Sequence, residues 1–243
     1  MKKIKCIFVS FLVFVSCSKD ADDNLCNTLE AYILNKSFEM GAVIACAASD
    51  ANTNEVLTFY YPEIGATNIR FYETGSALID ENNFSNYKQI AIKSEPFFNG
   101  YLGKFTQLSA NEKWIIVTFE LNREIKISKP IRSKQNTKPT VWNDEVSINQ
   151  NVSGMPNFTW EDDAFGDNAI YFQVVSNAQN NLLSGTYTYE NHFQYYNTSN
   201  VVLNITTQTP FALVTGNNYN FTLMDVSEDN WVNGVIQKNF EAQ

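Results

Sequence analysis

The chain has 243 residues, with 26 acidic side chains against 17 basic ones and a formal net charge of −9. That balance disfavours nucleic acid and anionic lipid surfaces as partners, because both demand clustered lysine and arginine. A single histidine, and no serine or cysteine in a nucleophile-elbow context such as G-x-S-x-G, exclude a catalytic triad and a multi-histidine zinc site.

At the start, Lys2, Lys3 and Lys5 form a positive n-region, and Ile7 to Val15 an apolar run too short to span a bilayer. The run closes on Phe14, Val15, Ser16 and Cys17. This resembles the lipobox of bacterial lipoproteins, where a small residue before the cysteine admits the signal peptidase and the thiol is acylated. The resemblance implies a signal peptide over 1–16 and a lipidation site at Cys17, with each buried methylene of the anchor adding about 0.8 kcal/mol. Taking away the three leader lysines leaves a formal charge of −12.

Residues 17–36 read as a lipidated acidic tether. In it Ser18, Lys19, Asp20, Ala21, Asp22 and Asp23 resemble the export tag of surface lipoproteins of the Bacteroidota, which implies an outer-membrane protein facing outward. The alternatives are an ordinary secretory signal and a tether that is merely solvated. Leu25, Leu29, Tyr32 and Ile33 recur at helical spacing with Asn24 as a cap, which suits one short helix or more of the tether. Cys26 and Cys46 remain after lipidation, in an oxidising compartment. A disulfide between them would be worth about 3 kcal/mol on the loop-closure model; otherwise Cys46, inside the apolar run Ala42 to Ala48, is a strand residue.

Residues 37–131 form the first domain. Short runs of β-branched and aromatic residues predict strands near Ala42 to Ala48, Glu55 to Tyr61, Asn68 to Glu73, Tyr87 to Ser94, Tyr101 to Thr106, Lys113 to Leu121 and Glu124 to Ile131. Asn99-Gly100 signals a type I′ hairpin, and Asn122-Arg123 a tight turn between the last two strands. Residues 132–140, polar and stiffened at Pro139, read as a linker. Over 141–243 a second set falls near Asn157 to Trp160, Ala169 to Ser176, Gly185 to Phe193, Val201 to Thr206, Tyr219 to Val226 and Val232 to Phe240, after an opening strand between Val146 and Val152. The expected fold is all-β, as two tandem β-sandwiches.

The two sets are copies of one unit. Leu57-Thr58-Phe59, Ile64-Gly65 and Ile69-Arg70-Phe71 align without a gap on Phe158-Thr159-Trp160, Phe165-Gly166 and Ile170-Tyr171-Phe172. Leu108 and Trp114 likewise match Leu213 and Tyr219. At these residues the chain resembles the fibronectin type III family. The resemblance makes Trp160 a strand B core residue and Leu213-x-x-Gly216-x-x-Tyr219 a tyrosine corner, whose phenol bonds back to main chain upstream. In the first copy it makes Phe59 the counterpart of Trp160, and Trp114 the corner residue.

For chemistry the sequence offers little. His192, between Asn191 and Phe193, suits a strand surface. Glu161, Asp162, Asp163 and Asp167 around Gly166 are a weak calcium candidate, since calcium takes six to eight oxygens but the spacing fits no EF-hand. In a fibronectin-like sandwich their loop shares an end with the turn carrying Glu228, Asp229, Asn230 and Trp231. This predicts a binding tip of Asp162, Asp163, Asp167, Asp229 and Trp231, pointing away from the linker. The expected function is a noncatalytic cell-surface lipoprotein, needing no cofactor, whose tandem modules bind a protein, adhere or act as a spacer. The alternative is a glycan-binding accessory lipoprotein of a polysaccharide-utilisation system. Trp142 and Trp231, if exposed, would favour that alternative.

Overall fold

The computed structural model describes residues 27–206 and 208–243. A short helix, α1 (Leu29–Ile33), precedes the first set of strands: β1 (Phe38–Val43), β2 (Ala45–Ser49), β3 (Glu55–Tyr60), β4 (Thr67–Glu73), β5 (Lys88–Ile90), β6 (Glu95–Phe97), β7 (Leu102–Leu108), β8 (Trp114–Leu121), β9 (Glu124–Ser128) and β10 (Ile131–Arg132). The second set is β11 (Val141–Asn143), β12 (Ser147–Asn149), β13 (Asn157–Thr159), β14 (Asn168–Asn177), β15 (Leu182–Thr188), β16 (His192–Gln194), β17 (Val201–Asn204), β18 (Asn218–Ser227) and β19 (Val232–Glu241).

Four sheets result. The first half supplies β1-β9-β8-β4-β5, with β10 on β8, and β2-β3-β7-β6; the second supplies β11-β19-β18-β14-β15-β17 and β12-β13-β16. Each half is therefore a β-sandwich of immunoglobulin-like type, and the chain is all-β as expected. The duplication reaches into the topology. In both halves the opening strand first pairs parallel with the last long strand, β1 with β9 and β11 with β19. The chain then crosses to the other sheet, where β2 pairs antiparallel with β3, and β12 with β13.

The four sheets stack as layers, because every gap between them is filled by apolar side chains. Phe71, Phe105, Val117 and Phe119 fill the first sandwich, and Phe158, Trp160, Phe221 and Phe240 fill the second. A third cluster, as large as the second, lies between the sandwiches. Ala48, Leu57, Phe59 and Leu102 of the first half meet Phe172, Val174, Tyr187, Met224 and Val235 of the second there. At about 25 cal/mol per Å² of apolar surface removed from water, burial on this scale holds two domains as one body.

That joint corrects part of the repeat alignment. On β3, Val56, Thr58 and Tyr60 share the face that looks into the first sandwich, whereas Leu57 and Phe59 look out toward the second. Phe59 is thus not the counterpart of Trp160, which faces inward. An alignment one residue shorter brings Tyr60 onto Trp160 and Phe71 onto Tyr171, and keeps inward residues inward. Trp114 is likewise on the outer face of β8, packed with the cluster under α1, and its indole donates to the carbonyl of Ala77 at 3.2 Å. It does not occupy the corner.

The second half does have the corner. The Tyr219 hydroxyl accepts from the backbone N–H of Val214 at 3.0 Å, with Leu213 buried beside it and Gly216 at φ +84°. The Asn122-Arg123 turn joins β8 to β9 with φ of 53° and 67°, the two positive values that a type I′ turn requires. Asn99-Gly100 also lies in a hairpin, between β6 and β7. That loop has four residues, 98–101, because Phe97 pairs with Leu102.

Two segments are more structured than their composition suggested. Leu29, Tyr32 and Ile33 of α1 are buried on the first sheet, and Thr28 rather than Asn24 caps the helix, accepting from Ala31 N–H at 3.2 Å. Residues 132–140 are no free linker: Ser133 and Thr140 are buried. Thr140 Oγ1 accepts from Ser49 N–H at 2.9 Å and donates to the carbonyl of Val232 at 2.8 Å, tying both halves together. Cys17, Cys26, Asn24 and the leader lie outside the described residues. No helix of the described residues is long and apolar enough to cross a membrane.

Candidate functional site

The acidic loops do come together at one end of the second sandwich, but that end faces the first. The turn from Ser227 to Trp231 joins β18 to β19, and Trp231 is fully buried in the core of the first sandwich, beside Ala47, Val56 and Phe105. Its indole N–H donates to the carbonyl of Lys138 at 2.8 Å. Around it, Ala47 N–H donates to Asn230 O at 3.1 Å, Arg132 N–H to Asp229 O at 3.0 Å, and the Asn230 amide to Pro130 O at 3.1 Å. The turn is a plug seated in the first sandwich, not an exposed tip.

The acids of the tip are satisfied within the chain. Asp229 pairs with Lys134 at 2.7 Å and Asp167 with Lys138 at 3.1 Å, and Lys138 also donates to Gly166 O at 2.8 Å. The Lys138 hydrogen bond and charge hold the Asp167 carboxyl below its usual range. Asp162 accepts from the Tyr171 hydroxyl at 3.0 Å, and Asp163 from Asn168 N–H at 2.9 Å. A basic partner for this surface exists, and it is the polar segment between the domains. Among the described residues no three His, Cys, Asp or Glu side chains gather as metal ligands, at Glu161, Asp162, Asp163 and Asp167 or elsewhere.

The other candidates fall elsewhere. His192 is exposed on β16, 3.4 Å from Glu190. Cys46 is on β2 opposite Phe59, lining a cavity of about 270 Å³ between the sandwiches, where burial pushes its thiol up to about 12. Trp142 is half-buried in a cleft of about 610 Å³ with Asp50, Gln135 and Asn136. Most polar groups of that cleft are already engaged, although the Gln135 side-chain oxygen is buried without a partner. The Trp142 indole donates to Ser49 O, the Gln135 amide to Ser109 O and Asn111 O, and the Asn136 amide to Ala110 O, while Asp50 caps its own turn at Asn52 and Thr53.

A larger cleft, of about 770 Å³, lies on the flank of the second sandwich, between the β14–β15 hairpin and the segment leading into β18, with Tyr101 of the first half on its rim. This is within the range of small-molecule sites, about 300 to 1,000 Å³. Its far wall is pinned at the main chain: the Tyr195 hydroxyl donates to Phe211 O at 2.9 Å, Leu213 N–H to Gly154 O at 2.8 Å, and Val214 N–H to the corner Tyr219. The Phe211 ring is nonetheless 93% exposed. Gln179, Gln208, Asn217 and Asn218 line the cleft, and among the described residues their side chains make no hydrogen bond within the protein. Sequence reasoning missed this site, because its neutral residues carry no motif. The one available signal was Leu213-x-x-Gly216-x-x-Tyr219, which shapes the wall.

No family model matches the chain, and no curated protein matches it. Among solved structures it is similar to the glycoside hydrolase family 64 laminaripentaose-producing β-1,3-glucanase of Paenibacillus barengoltzii in complex with laminarihexaose. The identity is 12%, over 77% of this chain and 50% of that one, with a TM-score of 0.28. The chain thus spans half the length of the glucanase. It is also similar to the chicken interferon gamma receptor alpha chain, at 8% identity over 83% of this chain and 97% of that one, with a TM-score of 0.22.

Proposed function

We propose that the protein is a noncatalytic binding lipoprotein, anchored through Cys17 at the outer surface of the outer membrane, whose docked sandwiches present the flank cleft of the second domain to a ligand. The cleft beside Phe211 carries this reading. An apolar ring held out in water by a pinned main chain, above unengaged amides, is arranged for a contact that the protein itself does not supply. The layered body supports it. α1 packs on the outermost sheet of the first sandwich, whereas the cleft is on the flank of the second. A stiff spacer of that kind carries the cleft clear of the anchor.

The test uses the full chain in a host that processes lipoproteins, with Cys17→Ser and Phe211→Ala beside it. Polymers from the host's surroundings are separated into protein and polysaccharide fractions and immobilised. Cys17→Ser should leave the membrane fraction. The parent chain should be retained by one polymer fraction without shortening it, and Phe211→Ala should lose that retention. Equal retention of Phe211→Ala, or shortening of the polymer, would reject the proposal.

A further inference from the structure

We infer that the ligand of this cleft is a neutral oligosaccharide. The inference rests on the cleft being the binding site and adds the chemical class. Not one of the side chains lining the cleft is charged, in a chain where 18% of residues are. A ligand whose recognition depends on a phosphate, carboxylate or ammonium group finds no counter-ion there, and burying such a group unpaired is costly. What the cleft offers instead is the exposed ring of Phe211 and the half-buried ring of Tyr101, beside the amides of Gln179, Asn217 and Asn218.

Those two kinds of group suit a sugar ring together. An amide is at once donor and acceptor, as a sugar hydroxyl is, so each pair can satisfy both partners without a net charge. The C–H face of the ring is apolar and packs on an aromatic face, while its rim stays polar. A peptide would instead bring backbone groups that need a sheet edge or a row of fixed partners, plus side chains of either charge. The cleft is open along the exposed segment that carries Phe211, which suits a chain of sugars rather than one.

The experiment is calorimetric titration of the purified, lipidated full chain in detergent with neutral hexasaccharides of glucose, xylose and mannose, and with an oligogalacturonate of the same length as the charged control. At least one neutral hexasaccharide should bind and the oligogalacturonate should not. Phe211→Ala should weaken binding by about tenfold or more, and Phe211→Trp should retain it. Raising the salt about tenfold should change little, because no charge pair is involved. The Phe211 ring is exposed, so these variants should keep the parent's melting temperature, and any loss then reports on binding. If no neutral hexasaccharide binds while a protein fraction is still retained in a Phe211-dependent way, the sugar assignment fails and the cleft remains the site. If every retention survives Phe211→Ala, both fail. Preferential binding of the oligogalacturonate would also overturn the inference.

Discussion

The two sandwiches share a topology but close their cores differently. In the second, β13 alternates cleanly, with Phe158 and Trp160 inside and Thr159 out, and the corner bond from Val214 to Tyr219 locks the turn into β18. In the first, β3 is buried on both faces from Val56 to Tyr60, the corner bond is replaced by a Trp114 contact on the outer face, and a tryptophan of the other domain completes the core. A repeated sequence has produced one unit whose inner core is filled by its own residues and one whose inner core is finished by its neighbour. The lesson is that tandem copies need not be separable. Here the turn that a free fibronectin-like domain leaves open to partners is turned inward.

The sharpest way to break this comparison is to empty the plug. Trp231→Ala should cost about 3 to 5 kcal/mol, as expected for deletion of a large buried ring, and it also strands the carbonyl of Lys138. The loss should be felt in the first sandwich although the residue belongs to the second. Hydrogen exchange should show protection lost at β2, β3 and β8 while the inner face of β18 keeps its own, and the parent chain should unfold in one transition. Two separate transitions in the parent, or a loss under about 1 kcal/mol in the variant, would mean that the sandwiches are independent and merely touching.

Much of this architecture was legible in the sequence, and the part that was not has a definite cause. Most of the longer strands were read within a few residues because β-branched and aromatic runs stop at turn residues, as at Asn122-Arg123, but β1, β6, β10 and β11 were not foreseen, and β15 and β16 were read as one strand. The duplication was also visible. Its register was misread by one residue, and a one-residue slip inverts every side chain of a strand. Nothing in Leu57-Thr58-Phe59 could reveal that slip, since a strand covered on both faces has no polar side to mark which way it points. The same blindness hid the joint. Phe172, Val174 and Met224 look like ordinary core residues, and only the third layer of packing shows that they face another domain. Asp229 and Asp167 looked free because their partners, Lys134 and Lys138, belong to a segment with the composition of a loose linker.

A smaller effect sharpens the contrast between the two corners. Tyr219→Phe removes the hydroxyl that accepts from Val214 N–H and should cost about 1 to 3 kcal/mol, measured by urea denaturation. Trp114→Phe removes only a half-buried bond to Ala77 O and should cost about 0.5 to 1.5 kcal/mol. Equal losses at the two positions would say that the first sandwich has built an equivalent lock by another route. Tyr219→Phe should also weaken binding at the flank cleft, because Val214 belongs to its wall. Trp114→Phe should leave binding unchanged.

The smallest expected effect concerns a carboxyl on β18 near the plug. Asp225 is 1% exposed; its Oδ1 accepts from the Asn233 amide at 3.3 Å, and its Oδ2 has no partner among the described residues. Burial raises this carboxyl above its usual range, reinforced by the charge of Asp163, while the hydrogen bond from Asn233 and the charge of Lys138 pull the other way. A carboxyl raised in the folded state binds its proton more tightly there than in the unfolded chain. Folding is therefore penalised as pH climbs above the unfolded value of about 3.9, and the penalty is complete above the folded one. Asp225→Asn keeps the shape and removes the charge, so it should be more stable than the parent at neutral pH. The gain should fade as pH falls toward 4, where the parent carboxyl takes up its own proton. Denaturation midpoints of both chains across that range would show it. A variant less stable than the parent at neutral pH would mean that the Asp225 charge is held by Lys138 across the joint, and that the second sandwich depends on the first as much as the first depends on Trp231.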